Sequence, residues 1–490
     1  MKKYILALDI GTTSARAAIY DKDSKLVAIS SRPVKQIYPQ NGWVEQDPED
    51  IWNAQIAAAG EVLQKAGISA EEIAAIGIAN QRETAVMWDR QTGKPVYNAI
   101  VWQCRRTTGM CENIKEEGLE EYIYERTGLK ADPYFTATKF RWILDNVPQA
   151  AKLAESGRLL AGTVDSFLLW RLTGVHATDY TNASRTMLMD IHKKQWSEDL
   201  LRLFAIPRSA LAQIRPSGGE FGTTNLLGAP IPVCAAAGDQ QAALLGMLCT
   251  EDGDSKCTYG TGCFMLMNTG ARNIISKRGL VTTLAAGFDD SPDYALEGSM
   301  FSAGAVMGWL KDGMRLIHDE GECADIARTV KDTGGVYLVP AFVGLGAPHW
   351  DSRARGTITG ITRATTREHM IRAAEECIAY QVLDVLRAIQ ADTGIKIKKL
   401  NADGGLSNDN FIMQFQADIA GITVERPVIR ESTSLGAAFL AGIACGMWSG
   451  ISDCKKAKQT ERVFLPAMDK KTRSELIIGW EHAVRQAMER

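Results

Sequence analysis

The chain has little of the material from which disulfide scaffolds, metal cages and membrane spans are built. Its 490 residues contain 10 cysteines and no Cys-x-x-Cys pair, which is too dilute for a disulfide framework and predicts free thiols in a reducing cytoplasm. The six histidines form no His-x-x-x-His or His/Cys cluster, so a zinc site is not expected. The longest uncharged apolar run, Leu435–Trp448, is shorter than the ~18–20 residues of a membrane span and predicts an interior helix.

The chain also has no large excess of positive or negative charge. The net charge is −3 and no run of five like charges occurs, so neither nucleic acid nor an anionic membrane is an expected partner. The N-terminal MKKYILALDI resembles a weak signal peptide, but Asp9 interrupts its apolar run and no small-residue cleavage site follows. We therefore expect a globular cytoplasmic protein, and its length exceeds what one hydrophobic core supports.

Strand and helix patterns alternate along the chain, which favours an α/β architecture. Strands are predicted at Tyr4–Ile10, Ala15–Tyr20 and Ile73–Gln81, and a helix at Pro48–Lys65. From Ser255 onward a second strand, Gly/Thr turn and strand begin a similar succession. The pattern predicts two related domains, which we place at residues 1–248 and 249–490.

The stretch LALDIGTTSARAAIYD (Leu6–Asp21) joins two apolar strands by a turn with more polar groups than a hairpin needs. Glycine lets the backbone approach a ligand, and hydroxyls and successive amide N–H groups can cradle phosphate oxygens. Asp9, at the end of a buried strand, is placed to hold a magnesium ion through water. The alternative is a solvent-exposed hairpin turn without a ligand.

Two further glycine turns have related chemistry. YGTG (Tyr259–Gly262) lies between apolar strands, so it and the first turn could face each other across a cleft and grip one polyphosphate. ADGGLSND (Ala402–Asp409) lies between a strand and a helix, where a base or ribose could rest on the backbone, although a tight connection is the simpler reading. Neither a GxxxxGK[ST] motif nor a GxGxxG fingerprint is present, which excludes a P-loop enzyme at the motif level.

Other polar residues stand at predicted strand ends. Asp239, in GDQQAALLG, could be a helix N-cap or a general base. NQRET, which contains Arg82 and Glu83, could be a surface ion pair or a set of donors and acceptors for a small polyhydroxylated ligand. Trp102 and Tyr134 are residue types found more often in a core than against a ligand.

Taken together and in order, these motifs resemble the FGGY family of carbohydrate kinases. The resemblance rests on DIGTTSAR, GWVEQDP, NQRET, NAIVWQCRR, DPYF, TDYTNASRTML, AGDQQAALLG, YGTGCFMLMNTG, VPAFVGLGAPHWD, DGGLSNDNFIMQFQAD and STSLGAAFLAG. It extends from residue 4 to about residue 450. NQRET, VWQCRR and YGTGCFMLMNTG are most similar to the glycerol-phosphorylating members.

The resemblance implies two ribonuclease-H-like domains of the actin-like ATPase fold around a cleft, and transfer of phosphate from Mg-ATP to a terminal hydroxyl of glycerol. It implies Asp239 as the general base and Asp9 as the residue that organises Mg²⁺. The implied glycerol contacts are Arg82, Glu83, Tyr134, Asp239 and Gln240, with Trp102 and Phe264 as apolar walls. The implied nucleotide contacts are Thr12, Thr13, Ser14, Arg16, Thr261, Gly304, Gly405 and Asp409.

The sequence departs from the family pattern in places. Ile10 stands where glutamine is frequent, and Gly308 stands where many glycerol-phosphorylating members have glutamine near the adenine. Residues 225–239 lack the longer glycine-rich loop and arginine that bind a sugar-bisphosphate inhibitor in several bacterial members, and the histidine-bearing segment for activation by phosphorylation is not found. The family commonly forms dimers and tetramers, so a homodimer or homotetramer is expected. Alternatives are a kinase of a longer polyol or sugar, and a non-catalytic actin-like filament protein or sugar sensor.

Overall fold

The computed structural model describes residues 2–455 and 459–489. The strands of the N-terminal half are β1 (Tyr4–Ile10), β2 (Ser14–Asp21), β3 (Leu26–Pro33), β4 (Glu45–Gln46), β5 (Ile73–Asn80), β6 (Val86–Asp89), β7 (Ala99–Ile100), β8 (Leu159–Gly162), β9 (Ala177–Asp179), β10 (Met189–Asp190), β11 (Gln195–Trp196), β12 (Gln213–Arg215), β13 (Gly218–Thr224) and β14 (Ile231–Gly238). Its helices are α1 (Pro48–Ala66), α2 (Thr108–Glu116), α3 (Glu120–Thr127), α4 (Thr136–Asn146), α5 (Pro148–Glu155), α6 (Val164–Thr173), α7 (Tyr180–Ala183), α8 (Glu198–Leu203) and α9 (Asp239–Gly246).

The C-terminal half repeats the alternation. Its strands are β15 (Ser255–Tyr259), β16 (Cys263–Gly270), β17 (Val281–Leu284), β18 (Tyr294–Met300), β19 (Tyr337–Val339), β20 (Thr357–Thr359), β21 (Lys399–Asp403), β22 (Thr423–Pro427) and β23 (Thr460–Phe464). Its helices are α10 (Gly304–Gly308), α11 (Cys323–Ala327), α12 (Arg367–Thr393), α13 (Asn410–Ala420), α14 (Ser432–Ala444), α15 (Ile451–Lys455) and α16 (Lys470–Met488).

Each half is built on one main sheet, and the two sheets have equivalent strand orders. The first runs β13-β14-β5-β1-β2-β3 and the second runs β17-β18-β16-β15-β21-β22-β23. In both, an antiparallel meander (β1-β2-β3 and β15-β16-β18) is extended by two parallel strands beside its first member (β5 and β14, β21 and β22). This common order of 3-2-1-4-5 confirms the prediction of two related α/β units.

The apolar runs of the sequence become buried strands. In β1, every residue from Ile5 to Ile10 is buried, because helices cover both faces of the central strands. Helix α1 begins as its sequence predicts: Asp47 accepts the amide of Glu49, Pro48 occupies the first turn, and Gly67 ends the helix in the left-handed region.

The two halves interlock through α9 and α14. Helix α14 comes late in the sequence but packs on the N-terminal sheet, where Ala437 and Phe439 join the core formed by Ile5 and Ala7. Helix α9 contributes Leu244 to the packing on the C-terminal sheet. The helices touch at glycines: a Cβ on Gly436 would lie 1.8 Å from the carbonyl oxygen of Ala242.

The predicted interior helix at Leu435–Trp448 is present with shifted bounds, since α14 spans Ser432–Ala444. Trp448 lies beyond the helix end and packs back on Phe439, with ring centroids 5.7 Å apart. The ten cysteines form no disulfide in the described part of the chain. Among the residues described, no helix combines the length and apolar character needed to cross a bilayer.

Candidate active site

The first polar turn connects β1 to β2, and it is closed by a hydrogen bond from the Gly11 amide to the Ser14 carbonyl at 2.9 Å. Gln46 supports the turn from below by donating to the Thr12 carbonyl at 2.6 Å. The turn itself stays accessible, with Thr13 exposed and Thr12 partly so. The hydroxyls therefore stand on a fixed backbone at the surface, as a phosphate cradle requires.

Asp9 lies one residue before the end of β1 and is buried. Burial raises the pKa of its carboxyl to about 7, Arg16 opposes that rise, and the nearby carboxylates of Asp239 and Glu431 add to it. Arg16 sits opposite Asp9 in the hairpin register, 4.0 Å from its carboxylate, and pairs more closely with Glu431 at 3.1 Å. Arg16, which is partly exposed, lies between the carboxylates of Asp9 and Glu431, so negative charge exceeds positive charge at this point.

That excess of negative charge is what a divalent cation would balance. Within the described residues no group of three or more His, Cys, Asp or Glu side chains forms a metal cage. Mg²⁺ is commonly held by one or two carboxylates together with waters and substrate phosphates, so Asp9 fits the role without a cage.

The predicted nucleotide residues of the C-terminal half converge on one cavity of about 750 Å³. The second polar turn, between β15 and β16, forms one wall, and its backbone bonds to the start of α10: the amides of Ala303 and Gly304 donate to Thr261 and Gly260 at 2.9 Å. The cavity is lined by Gly260, Thr261, Gly304, Ala305, Glu320, Gly321, Ala324, Arg328, Gly405, Leu406, Asn408, Asp409 and Asn410. Thr12, Thr13, Ser14 and Arg16 do not line it, because they belong to the hairpin of the other half.

Asp409 also has a structural duty there. Its carboxylate caps α13 by accepting the amides of Phe411 and Ile412. Behind it lies Glu375 of α12, whose pKa is raised well above the ordinary value by burial and by the charge of Asp409. Gly308 ends α10 with space around it, since a Cβ would meet only Glu320, at 3.9 Å.

Arg82 and Glu83 follow β5 and are almost fully buried, which makes the alternative of a surface ion pair wrong. Glu83 has a φ of 61°, a conformation that non-glycine residues adopt at a cost and often at functional sites. Buried Lys139 holds this turn by donating to the carbonyls of Glu83 and Tyr134, at 3.1 and 2.5 Å. Burial lowers the pKa of Lys139 to about 7.

The predicted aromatic residues form one wall. The Trp102 ring meets Tyr134 edge-on with centroids 5.7 Å apart, and meets Phe264 with centroids 5.9 Å apart. Tyr134 is buried, whereas Trp102 and Phe264 are partly exposed. Phe264 belongs to β16, so the wall is assembled from both halves of the chain.

Asp239 is the first residue of α9, and Gly238 occupies the capping position, so the N-cap alternative for Asp239 is wrong. Its carboxylate lies 3.2 Å from Nε of Arg82 and is about one quarter exposed. Burial raises the pKa of Asp239, while Arg82 and Lys256 oppose the rise. Gln240 beside it accepts a hydrogen bond from Lys256 at 2.5 Å.

Sequence reasoning missed two residues of this cluster. Arg185, in the motif TNASRTML, pairs with Glu83 at 2.6 Å and with Glu297 at 3.0 Å. Glu297, in YALEGS of β18, also takes both terminal nitrogens of Arg82. Burial alone would raise the pKa of Glu297, but the guanidiniums of Arg185 and Arg82 outweigh it and hold the pKa at about 2. Neither residue has a local sequence signature, because the partners of Glu297 lie 112 and 215 residues away in the chain.

Two related α/β halves, each opening with a glycine and hydroxyl turn, meet at a charged pocket, and this architecture is that of the actin-like ATPase fold. The N-terminal domain model of the FGGY family of carbohydrate kinases matches residues 4–246, and the C-terminal domain model matches residues 255–445. The chain belongs to the FGGY family of carbohydrate kinases.

Comparisons with individual proteins show which members of the family this chain is similar to. The chain is 54% identical to the glycerol kinase of Carboxydothermus hydrogenoformans, over 100% of this chain and 99% of that protein. A crystal structure of Plasmodium falciparum glycerol kinase with ADP matches with a TM-score of 0.91 and 36% identity, covering 99% of this chain and 98% of that one. A ligand-bound xylulose kinase from Lactobacillus acidophilus has a TM-score of 0.88 at 24% identity, with the same coverage, and so shares the fold.

Proposed function

We propose that the chain phosphorylates glycerol, transferring the γ-phosphate of Mg-ATP to a terminal hydroxyl to give sn-glycerol 3-phosphate and ADP. The observation that carries the proposal is the juxtaposition of buried Arg82 and Glu83 with Asp239 and with the wall of Trp102 and Phe264. Full-length relatives named glycerol kinase support the same reaction.

Asp239 is the proposed general base. A glycerol hydroxyl is a weak nucleophile at neutral pH, and a carboxylate within hydrogen-bond reach can accept its proton as the new phosphorus–oxygen bond forms. The raised pKa of Asp239 makes it a better proton acceptor than an ordinary carboxylate. Nε of Arg82, at 3.2 Å, and the amide of Gln240, which donates at 2.8 Å, fix the carboxylate while leaving it partly exposed to a substrate.

The nucleotide is proposed to lie between the two polar turns. Thr12, Thr13, Ser14 and Arg16 would hold its phosphates, and the cavity containing Thr261, Gly304, Gly405 and Asp409 would take the adenosine. Asp9 would hold Mg²⁺, which supplies positive charge to the phosphate oxygens when bound. In-line positioning and charge neutralisation provide most of the acceleration in such transfers.

Selectivity for a three-carbon triol follows from the same groups. Arg82 donates hydrogen bonds, Glu83 accepts them, and Gln240 and the Tyr134 hydroxyl offer both functions, which suits adjacent hydroxyls. A substrate lacking one hydroxyl would leave a buried polar group unpaired, at about 1–3 kcal/mol. A longer polyol would need the space that the rings of Trp102 and Phe264 fill.

The proposal also covers the domain boundary, the cellular location and the oligomeric state. We infer a domain division at 1–248 and 249–490, with the helix α14 exchanged across it, a cytoplasmic location where ATP is supplied, and a homodimer or homotetramer in solution. Light scattering of the purified chain measures the oligomeric state directly.

The test is a coupled assay of ADP release with Mg-ATP and glycerol, dihydroxyacetone, erythritol, xylulose or no acceptor. Strong turnover with glycerol alone supports the proposal. Preference for a longer polyol would keep the kinase chemistry but contradict the assignment of Trp102 and Phe264. ATP binding without turnover on any acceptor would favour a sensor or filament protein.

A further inference from the structure

A buried cluster of four charged side chains, Arg82, Glu83, Arg185 and Glu297, joins the two halves across the acceptor pocket. Glu297 comes from β18 of the C-terminal half and its side chain has no exposed surface. Its Oε2 lies 2.5 Å from Nη1 of Arg82 and its Oε1 lies 2.9 Å from Nη2. The fork of Arg82 is thus occupied by a residue that does not itself belong to the predicted substrate contacts.

This pairing decides which edge of Arg82 faces the base. With both terminal nitrogens directed at Glu297, Arg82 presents Nε to Asp239 at 3.2 Å. Without Glu297, the guanidinium would be free to turn and pair with the nearest remaining carboxylate through two parallel N–H groups, which is the stronger geometry. Asp239 is that carboxylate.

Arg185 extends the cluster to the other acidic residue of the pocket. Its Nη2 donates to Glu297 at 3.0 Å and its Nε donates to Glu83 at 2.6 Å. Among the described residues, its Nη1 has no hydrogen-bond acceptor. Arg185 is fully buried beside Tyr134 and Phe135, so Glu297 and Glu83 are what fix its position.

We propose that Glu297 is the positioning residue of the acceptor site: it holds Arg82 by its fork, so that Asp239 stays available, and through Arg185 it holds Glu83. The inference rests on the proposed function for the identity of the acceptor. Glu297 lies opposite Leu266 in the strand next to it, and that strand also carries Phe264. The neighbouring strands β16 and β18 of the C-terminal half therefore supply both Glu297 and Phe264 of the apolar wall. The pocket is complete only when that half is docked.

The decisive variant is Glu297→Gln, which keeps the shape and loses the charge. We expect the KM for the acceptor to rise about tenfold or more and kcat to fall, because a buried hydrogen bond to a charged group is lost and Arg82 turns toward Asp239. The KM and the calorimetric affinity for Mg-ATP should stay within twofold, since the nucleotide cavity does not contain Glu297.

Glu376→Gln is the matched control. It removes another nearly buried ion pair of the C-terminal half, with Arg372 at 2.7 Å on α12, and should leave the acceptor KM unchanged. Ser299→Ala is the milder companion, since it deletes only the hydroxyl that donates to Glu297 at 2.9 Å. We expect a two- to threefold rise in acceptor KM from it.

An unchanged acceptor KM in folded Glu297→Gln, or an equal rise in both KM values, would overturn the proposal. Should Glu297→Gln fail to fold, Ser299→Ala provides the same test. A rise in KM confined to the acceptor supports the positioning role of Glu297, and no rise in KM overturns it. Wild-type turnover on a polyol other than glycerol would refute the proposed substrate, while the same two KM values measured on that polyol would still test Glu297.

Discussion

The indole N–H of Trp102 donates a hydrogen bond to the hydroxyl of Thr12 at 2.9 Å. One partner belongs to the aromatic wall of the proposed acceptor pocket and the other to the first polar turn, so a direct hydrogen bond joins the two proposed substrate sites. A hydroxyl that accepts from Trp102 has its own proton free to donate elsewhere. In the proposed mechanism, the turn would offer that proton to an incoming nucleotide.

Trp102→Phe separates the two roles of this side chain. The phenyl ring keeps an apolar wall beside Phe264 but cannot hold the Thr12 hydroxyl. We expect the KM for Mg-ATP to rise several-fold, while the KM for glycerol changes less. Steady-state kinetics with each substrate varied in turn provides the check, and a rise confined to glycerol would show that the contact has no part in nucleotide binding.

The crossing of α9 and α14 predicts a strong difference between two glycine substitutions. Gly436→Ala would place a Cβ 1.8 Å from the carbonyl oxygen of Ala242, so the helices must separate and the variant should lose stability and activity. Gly60→Ala, in the interior of α1, meets no atom within 4 Å and should stabilise by about 0.5–1 kcal/mol. Thermal unfolding monitored by circular dichroism compares them, and equal melting temperatures would refute the close crossing.

The buried carboxyl of Asp165 should make the free energy of unfolding depend on pH. Burial, with the nearby charge of Asp179, raises its pKa to about 7, although Thr163 and Thr178 donate to it. The folded protein therefore holds the Asp165 proton more tightly than the unfolded chain, and this contribution to stability is complete below about pH 3.8 and is lost as the pH rises toward 7.

Asp165→Asn replaces the titrating group by a neutral amide of similar shape. We expect its melting temperature to exceed that of the wild type at pH 8 and to match it near pH 4. A variant less stable than the wild type at pH 8 would mean that the ionised carboxylate, rather than its neutral form, is the one that the fold favours.

The strands and the two polar turns between them were predictable because their patterns are local. The alternation of apolar strands and glycine turns places β1, β2, β5, β15 and β16 correctly, and the equivalence of the two halves follows from it. Helix α14 was harder to place: its apolar run predicts an interior helix, but only the fold reveals that its glycine faces α9 and that it packs on the other half's sheet.

In the acceptor site, too, some residues could be predicted from the sequence and others could not. Asp239 and Arg82 could be singled out because each stands in a polar motif at a strand end, and Trp102 was assigned to the site only through the resemblance to the carbohydrate kinases. Glu297 could not, because an acid within an apolar strand has no local signature and its partners lie 112 and 215 residues away in sequence. Lys139 also escaped attention, since its contacts are to backbone carbonyls that no sequence pattern records.

The most direct test of the account is the pair of measurements on Asp239→Asn: turnover with glycerol and Mg-ATP, and calorimetric binding of Mg-ATP. The amide keeps the shape of the carboxylate and cannot accept the glycerol proton. We expect turnover to fall by about 10²–10⁴-fold while the nucleotide binds as in the wild type. Turnover close to the wild-type rate would contradict Asp239 as the base and, with it, the proposed mechanism.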